Sequence, residues 1–323
     1  MDGKLRLDQV YQSIDKEENG GGGKERFRTH HDGGDGFITQ IALLPGIWLF
    51  YQEFHSETIA VQRESLPFSP DILSIQHCQE GRFECEYRNG EFVYLGEGDL
   101  AINIPETSPV RSSFPLSHYK GINIVIAEEE AKNQLVKLSE IMGGLDIDLG
   151  AIRKRIERGN RLEIFRADDQ VRHILSELYQ SGEELPDSYL RIKCLELLMF
   201  LSRADGISRS EHPYFDRRQV AAVKEIRKLL TENSDRHFTL EELSRGFAIP
   251  LSSLKKCFRG VYGAPVASYM REYRLQKAAE LLRGTSKTAA EIGAEVGYET
   301  PSKFSEAFRK QYQVTPSEFR KTK

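Results

Sequence analysis

The stretch EIGAEVGYETPSKFSEAFRKQYQVTPSEFRK, Glu291–Lys321, reads as two helices divided by a sharp turn. The first runs from Thr288 to Val296 and stops at Gly297, a residue type that tolerates the left-handed backbone of a helix terminus. Thr300 offers a hydroxyl to cap the next helix, and Pro301 sits at its first position, where a missing N–H is harmless. That helix runs to about Gln311 with Phe304 and Phe308 inward at i and i+4. Its outward face then carries Ser302, Lys303, Ser305, Glu306 and Arg309.

The same arrangement occurs once more upstream. A shift of 50 residues lays Leu254–Tyr262 over Phe304–Tyr312, with Phe258-Arg259 on Phe308-Arg309, Tyr262 on Tyr312 and Tyr269 on Phe319. A shift of 49 lays Thr239–Leu243 over Thr288–Ile292 and Phe247 over Val296. Two units are too few for a solenoid. In the upstream unit Leu240 and Leu243 point inward, Leu254 and Phe258 anchor the second helix, and Ser252, Ser253, Lys255, Lys256 and Arg259 face out. A short helix, a sharp turn and a second helix with a polar face can enter a major groove.

Val266–Arg283 joins the units as a helix. Eighteen residues make a rod of roughly 27 Å. Such a rod can present two recognition helices to successive major-groove turns, about 34 Å apart on one face of DNA.

Glu291–Lys321 resembles the hallmark region of AraC/XylS-family transcription regulators, and Glu242–Leu282 resembles their first motif and linking helix. The elements I-x-x-x-x-G-[FY], F-x-x-x-F-[KR] and P-x-x-[FY]-R occur in order over roughly the last hundred residues. The resemblance implies a seven-helix domain with two helix-turn-helix units that binds bacterial promoter DNA. It implies base-facing roles for Ser252, Lys255 and Lys256 in the first recognition helix, and for Pro301, Ser302, Ser305 and Glu306 in the second. Two positions depart from the pattern. Pro250 replaces the usual capping serine, and Glu306 stands where a basic residue is common. An acid there repels phosphate but can accept from cytosine N4, so the first helix is expected to carry more affinity and the second to read selectively or weakly.

Charge divides along the same line. Asp216–Lys323 holds 21 basic and 13 acidic residues, a net +8, within a chain of 323 residues whose formal charge is -4. The preceding segment is therefore strongly acidic, which suggests a nucleic-acid-facing module joined to one with another task. The four cysteines, Cys78, Cys85, Cys194 and Cys257, form no C-x-x-C pair, so reduced thiols are expected rather than a disulfide scaffold or zinc site. No apolar run reaches membrane-span length and the amino terminus lacks a signal-peptide core, so the expectation is a cytoplasmic protein with no membrane contact.

The anticipated fold is α+β: an N-terminal β-sandwich or jelly-roll barrel with a helical subdomain, then an all-α double helix-turn-helix domain. Residues 1–36, with Gly20–Gly23 and Asp32–Gly36, read as a flexible arm holding at most a short early helix. Residues 37–127 read as a cupin-like barrel, with strands at 37–44, 47–54, 58–62, 73–79, 82–88, 91–95, 100–104 and 118–127 and a hairpin at Asn89-Gly90. Residues 128–205 read as a helical dimerisation or regulatory segment, with helices at 128–142, 149–158, 167–182 and 187–205; residues 206–216 read as a linker and 217–323 as the DNA-binding domain.

The front half resembles the regulatory domain found ahead of this DNA-binding module. Its role would be a small-molecule pocket, lined by Trp48, Tyr51, His77, Tyr87 and Tyr119, with helices that pair subunits into a homodimer. No cofactor is expected. One alternative is a metal-dependent cupin enzyme fused to the DNA-binding domain. His55, His77 and His118 stand singly with no H-x-H pair, so neither a metal nor a catalytic residue is expected. His30-His31, followed by Asp32 and Asp35, makes a metal site conceivable on residue type, but the aspartates do not match a calcium loop, which needs a glutamate at its twelfth position. A second alternative is a front half that only contacts other proteins. The expected partners are double-stranded promoter DNA, a small-molecule effector and, for an activator, RNA polymerase.

Overall fold

The computed structural model describes residues 14–17, 24–31, 34–58, 71–104, 109–159, 163–180, 186–203 and 214–321. The chain divides into two compact units, Met1–Tyr214 and Phe215–Lys323.

The first unit is built on antiparallel strands: β1 (Ile14–Lys16), β2 (Lys24–His31), β3 (Gly34–Leu44), β4 (Ile47–Phe54), β5 (Ile72–Glu86), β6 (Glu91–Gly96), β7 (Asp99–Asn103), β8 (Arg111–Ser113), β9 (Tyr119–Ala127) and β10 (Glu163–Arg166). The main path runs β1-β2-β3-β4-β9-β5-β6, with β7 and β8 also on β5 and β10 on β7. Its helices are α1 (Glu128–Met142), α2 (Leu149–Gly159), α3 (Asp169–Gln180) and α4 (Asp187–Arg203).

Strand alternation gives the sheet two apolar faces. Ile47, Leu49, Ile75, Ile122 and Ile124 pack with Ala131 of α1, Ile152 of α2, Ile174 of α3 and Leu197 of α4. Trp48, Phe50, Phe54, Phe114 and Tyr119 form a separate cluster on the other face. Phe54 stacks on Phe114 at 5.0 Å and Phe114 on Tyr119 at 4.9 Å between ring centroids.

Several expectations change here. The arm proposed for residues 1–36 contains β1, β2 and the start of β3; Phe27 is buried and Thr29 fully so. Alternation in 24–31 was masked by the flanking glycines. The strands expected at 73–79 and 82–88 are one, β5, which carries a register shift between Cys78 and Glu80 and changes partners about Gly81. Gly81 has φ +80°, and a Cβ there would lie 2.1 Å from the His118 carbonyl oxygen. Up to Gly81 β5 pairs with β9 and β7, and beyond it with β6 and β8. Strand β10 was missed because four residues are too few to show a period. Ile141 of α1 and Ile192 of α4 are 81% and 61% exposed, outside the buried stripes of their helices. The strand expected at 58–62 and the linker at 206–216 lie mostly outside the described residues, as do Gly20–Gly23.

The second unit comprises α5 (Arg217–Glu232), α6 (Leu240–Gly246), α7 (Leu251–Tyr262), α8 (Val266–Gly284), α9 (Ala289–Glu295), α10 (Pro301–Tyr312) and α11 (Pro316–Lys321). Asp216 caps α5 by accepting from the Gln219 N–H at 2.9 Å. Helix α8 serves both halves. Its Tyr269 ring meets Phe258 and Tyr262 of α7, while Leu275, Ala278 and Leu282 pack with Ile292, Phe304 and Phe308 of α9 and α10.

Candidate nucleic-acid interface

Helices α6–α7 and α9–α10 are two copies of one construction. Thr239 and Thr288 cap α6 and α9, each accepting from the N–H three residues on, while Glu242 and Glu291 return a bond to the capping residue's N–H. Such reciprocal boxes satisfy two orphan donors of a helix start. Hydrogen bonds from Thr239 and from Thr288 hold the Glu242 and Glu291 carboxyls below the usual carboxylate range. Each turn then needs one left-handed residue: Gly297 at φ +87° in the second unit, and Ala248 at φ +51° in the first.

The second helix of each unit is held from beneath. In α7 the buried residues are Leu254, Cys257, Phe258, Val261 and Tyr262, and in α10 they are Phe304 and Phe308. The stripe left outward on α7 is Ser252, Lys255, Lys256 and Arg259, all exposed, with Ser253 half-buried beside it. On α10 it is Pro301, Ser302, Lys303, Glu306 and Arg309, all exposed, with Ser305 half-buried. Positions 252, 255, 256 and 259 repeat at i, i+3, i+4 and i+7, one face of a helix. Thr300 caps α10 through the Lys303 N–H and Pro301 takes the first turn. Pro250 gives α7 no side-chain cap. Lys303 is paired with Glu299 at 2.6 Å, whereas no ion pair engages Lys255 or Lys256 among the described residues.

A family profile described as a helix-turn-helix domain matches residues 243–322. The chain is 31% identical over 111 residues to the transposon Tn10 TetD protein of Escherichia coli, covering 34% of this chain and 80% of that one. It is 31% identical over 162 residues to the arabinose operon regulatory protein of Escherichia coli, covering 48% of this chain and 54% of that one. The chain belongs to the AraC/XylS family. With the HTH-type transcriptional activator RhaR of Mannheimia succiniciproducens the identity is 25% over 154 residues, covering 47% of this chain and 54% of that one. The chain thus spans about half the length of the arabinose and RhaR regulators it matches. A solved AraC-type transcriptional regulator from Chromobacterium violaceum is 26% identical over 31% of this chain and 90% of its own, with a TM-score of 0.30.

In this AraC/XylS-family chain the five aromatic and histidine residues proposed to line one pocket lie on two faces of the sheet. Trp48 and Tyr119 belong to the aromatic cluster, where Tyr87 packs at its edge. Tyr51 faces the helical layer, its hydroxyl donating to the Leu178 carbonyl of α3 at 2.6 Å. His77 Nδ1 lies 3.0 Å from the Tyr179 hydroxyl of α3. Burial, with Arg166 adding to it, lowers the His77 pKa to about 4, so the ring is neutral near pH 7. Burial alone raises the Tyr51 hydroxyl's pKa. His55 and His118 stack at 5.5 Å and pair with Glu53 and Glu80, each at 3.2 Å. Among the described residues no three His, Cys, Asp or Glu side chains converge on a metal-sized site, and no helix is long and apolar enough to cross a membrane.

Three features of the interface were not anticipated: the paired capping glutamates, left-handed Ala248, and the contacts of Arg274 with the α5–α6 loop and of His237 with the α9–α10 turn. The T-x-x-E spacing at Thr239 and Thr288 marked the first of these. The others depend on tertiary contacts that no local pattern reports.

Proposed function

We propose that this protein is a sequence-specific, promoter-binding transcription regulator that grips DNA with α7 and α10 in successive major grooves. The observation that carries this reading is the repetition of one exposed polar stripe, set on one buried anchor pattern, fifty residues apart. Ser252, Ser253, Lys255, Lys256 and Arg259 form the first contact surface, and Pro301, Ser302, Lys303, Ser305, Glu306 and Arg309 the second. The unpaired lysines of α7 supply phosphate attraction, and Glu306 selects a cytosine through its N4 donor.

The first unit acts as the regulatory half, a jelly-roll-type barrel that senses a small molecule through the aromatic face holding Trp48 and Tyr119. The effector biases DNA binding only through its differential affinity for two states of the protein. Exposed Val136, Ile141 and Met142 on α1, and Ile192 on α4, favour a homodimer through the helical layer. The protein acts in the cytoplasm, and contacts RNA polymerase where it activates.

The test is recovery of genomic fragments by the full chain, followed by affinity measurements across a salt series. Six to ten phosphate contacts predict a loss of about 10³–10⁵ in affinity between 50 and 200 mM salt. Fragments without a common sequence, or affinity indifferent to salt, would refute it.

A further inference from the structure

The two helix-turn-helix units share α8 but touch each other through a small polar bridge. At the middle of α8, the Arg274 guanidinium reaches the loop between α5 and α6. Its Nε donates to the Ser234 carbonyl at 2.7 Å and its Nη2 to the Arg236 carbonyl at 3.0 Å. One turn on, Lys277 Nζ donates to the Ser234 hydroxyl at 3.0 Å. From that same loop His237 reaches across to the second unit, its Nε2 donating to the Gly297 carbonyl at 2.9 Å. Its Nδ1 lies 3.4 Å from Arg274 Nη1. The Gly297 carbonyl can only accept, so His237 Nε2 carries the hydrogen of that bond.

Gly297 is the left-handed residue of the α9–α10 turn, and a Cβ there would sit 2.9 Å from the Ser234 and Asp235 carbonyl oxygens. The loop between α5 and α6 therefore rests directly on the turn that aims α10. Apolar packing does not do the same work at this junction. A cavity of about 410 Å³ opens there, lined by Leu230, Phe238, Met270 and Tyr298 together with the bridge residues His237 and Arg274 themselves. The aromatic packing of Tyr269 holds α7 to the start of α8, and Leu282 holds α10 to its end. Bending of α8 between them is opposed by the polar bridge.

We propose that Arg274 and His237 are positioning residues that fix α10 relative to α7 and so set the half-site spacing this chain accepts. The proposal rests on the two-groove reading above. Each added base pair moves the second half-site by about 3.4 Å and rotates it by about 34°. A rigid bridge rejects that displacement and a loosened one follows it.

Two measurements on the full chain separate this idea from the reading beneath it. The first uses spin labels on Ser252→Cys and Ser302→Cys and needs no DNA; the four native cysteines are buried. A narrow interlabel distance distribution is expected in the parent, and a broadened one after His237→Ala or Arg274→Ala. Arg274→Lys should behave like the alanine variant, because an ammonium cannot span two carbonyls in a fixed fork. His237→Gln, which keeps a donor for Gly297, should restore most of the narrow distribution. The second measures affinity for the selected site and for versions lengthened or shortened by one base pair. The parent should lose about tenfold off its preferred spacing, roughly the worth of one charge-assisted hydrogen bond; the alanine variants should lose less than about threefold. If Arg274→Ala fails to fold, exposed His237 carries both measurements. An unchanged distance distribution in a folded His237→Ala variant overturns the proposal, as does an unchanged spacing preference. A parent that binds no DNA, with a narrow distribution that broadens in the alanine variants, contradicts the two-groove reading and leaves the bridge standing.

Discussion

Phe258 and Phe308 hold the same station in the two helix-turn-helix units. Each is fully buried, each meets the tyrosine four residues on (4.8 Å to Tyr262, 4.6 Å to Tyr312), and each takes an edge-on ring from a later helix. Those rings are Tyr269, at 5.5 Å and 78°, and Phe319, at 5.3 Å and 79°. The duplication visible as repeated letters is thus a duplicated three-ring core under each recognition helix. Truncating Phe258 or Phe308 to alanine should cost about 3–5 kcal/mol in the second unit. Trp48, the sole tryptophan, lies in the first unit, so its fluorescence transition should stay put while helical circular dichroism melts early. Coincident shifts in both signals would contradict separate cores.

The left-handed Ala248 gives a prediction of opposite sign. An L-residue at positive φ pays about 1–2 kcal/mol, whereas the equivalent Gly297 does not. Ala248→Gly should therefore stabilise the second unit, by up to about 1 kcal/mol once the extra freedom of glycine in the unfolded chain is deducted. Chemical denaturation followed by helical circular dichroism measures it, and a destabilised variant would contradict the assignment of strain to this turn.

Lys256 and Glu306 should behave differently on DNA. Lys256→Ala should weaken binding to every sequence alike and reduce the salt slope by about one. Glu306→Ala should leave the salt slope unreduced and relax the preference at one base pair by about 1–3 kcal/mol. Binding titrations on a panel of single-base variants at several salt concentrations distinguish the two, and reversal of these patterns would reverse the assigned roles.

His77 makes the first unit sensitive to acid. Its folded pKa of about 4 lies below the ordinary histidine value of 6.5, so the unfolded chain takes up the proton first. The stabilisation is complete above pH 6.5 and is lost as pH falls toward 4, for a total of about 3 kcal/mol. Urea unfolding read at Trp48 should show this loss, and His77→Gln should flatten it. A variant with the parent's pH profile would place the titration elsewhere.

The second unit was legible because its signals are local. Caps, a terminating glycine and phenylalanines four apart each act within one turn of helix, so Thr300, Gly297, Phe304 and Phe308 could be assigned from spacing alone. The first unit was less so. Residues 24–31 are held as a strand by long-range pairing with β3 along their length and with β1 on the other edge, and β5 continues through Gly81, whose φ of +80° and close approach to the His118 carbonyl suit only glycine. Trp48, Tyr51, His77, Tyr87 and Tyr119 share a chemistry suited to a pocket, but chemistry alone does not fix the face a residue occupies. Which face of the sheet each occupies is a matter of register: Trp48 and Tyr51 lie on the same strand, three residues apart, and therefore point in opposite directions.

Hydroxyl-radical footprinting of the full chain on its selected promoter site tests the central claim most directly. The account predicts two protected patches on one face of the duplex, about one helical turn apart. Joint alanine replacement of Ser252, Lys255 and Lys256 should erase one patch, and of Ser302 and Glu306 the other. A single patch, or one lost equally to both sets of replacements, would contradict it.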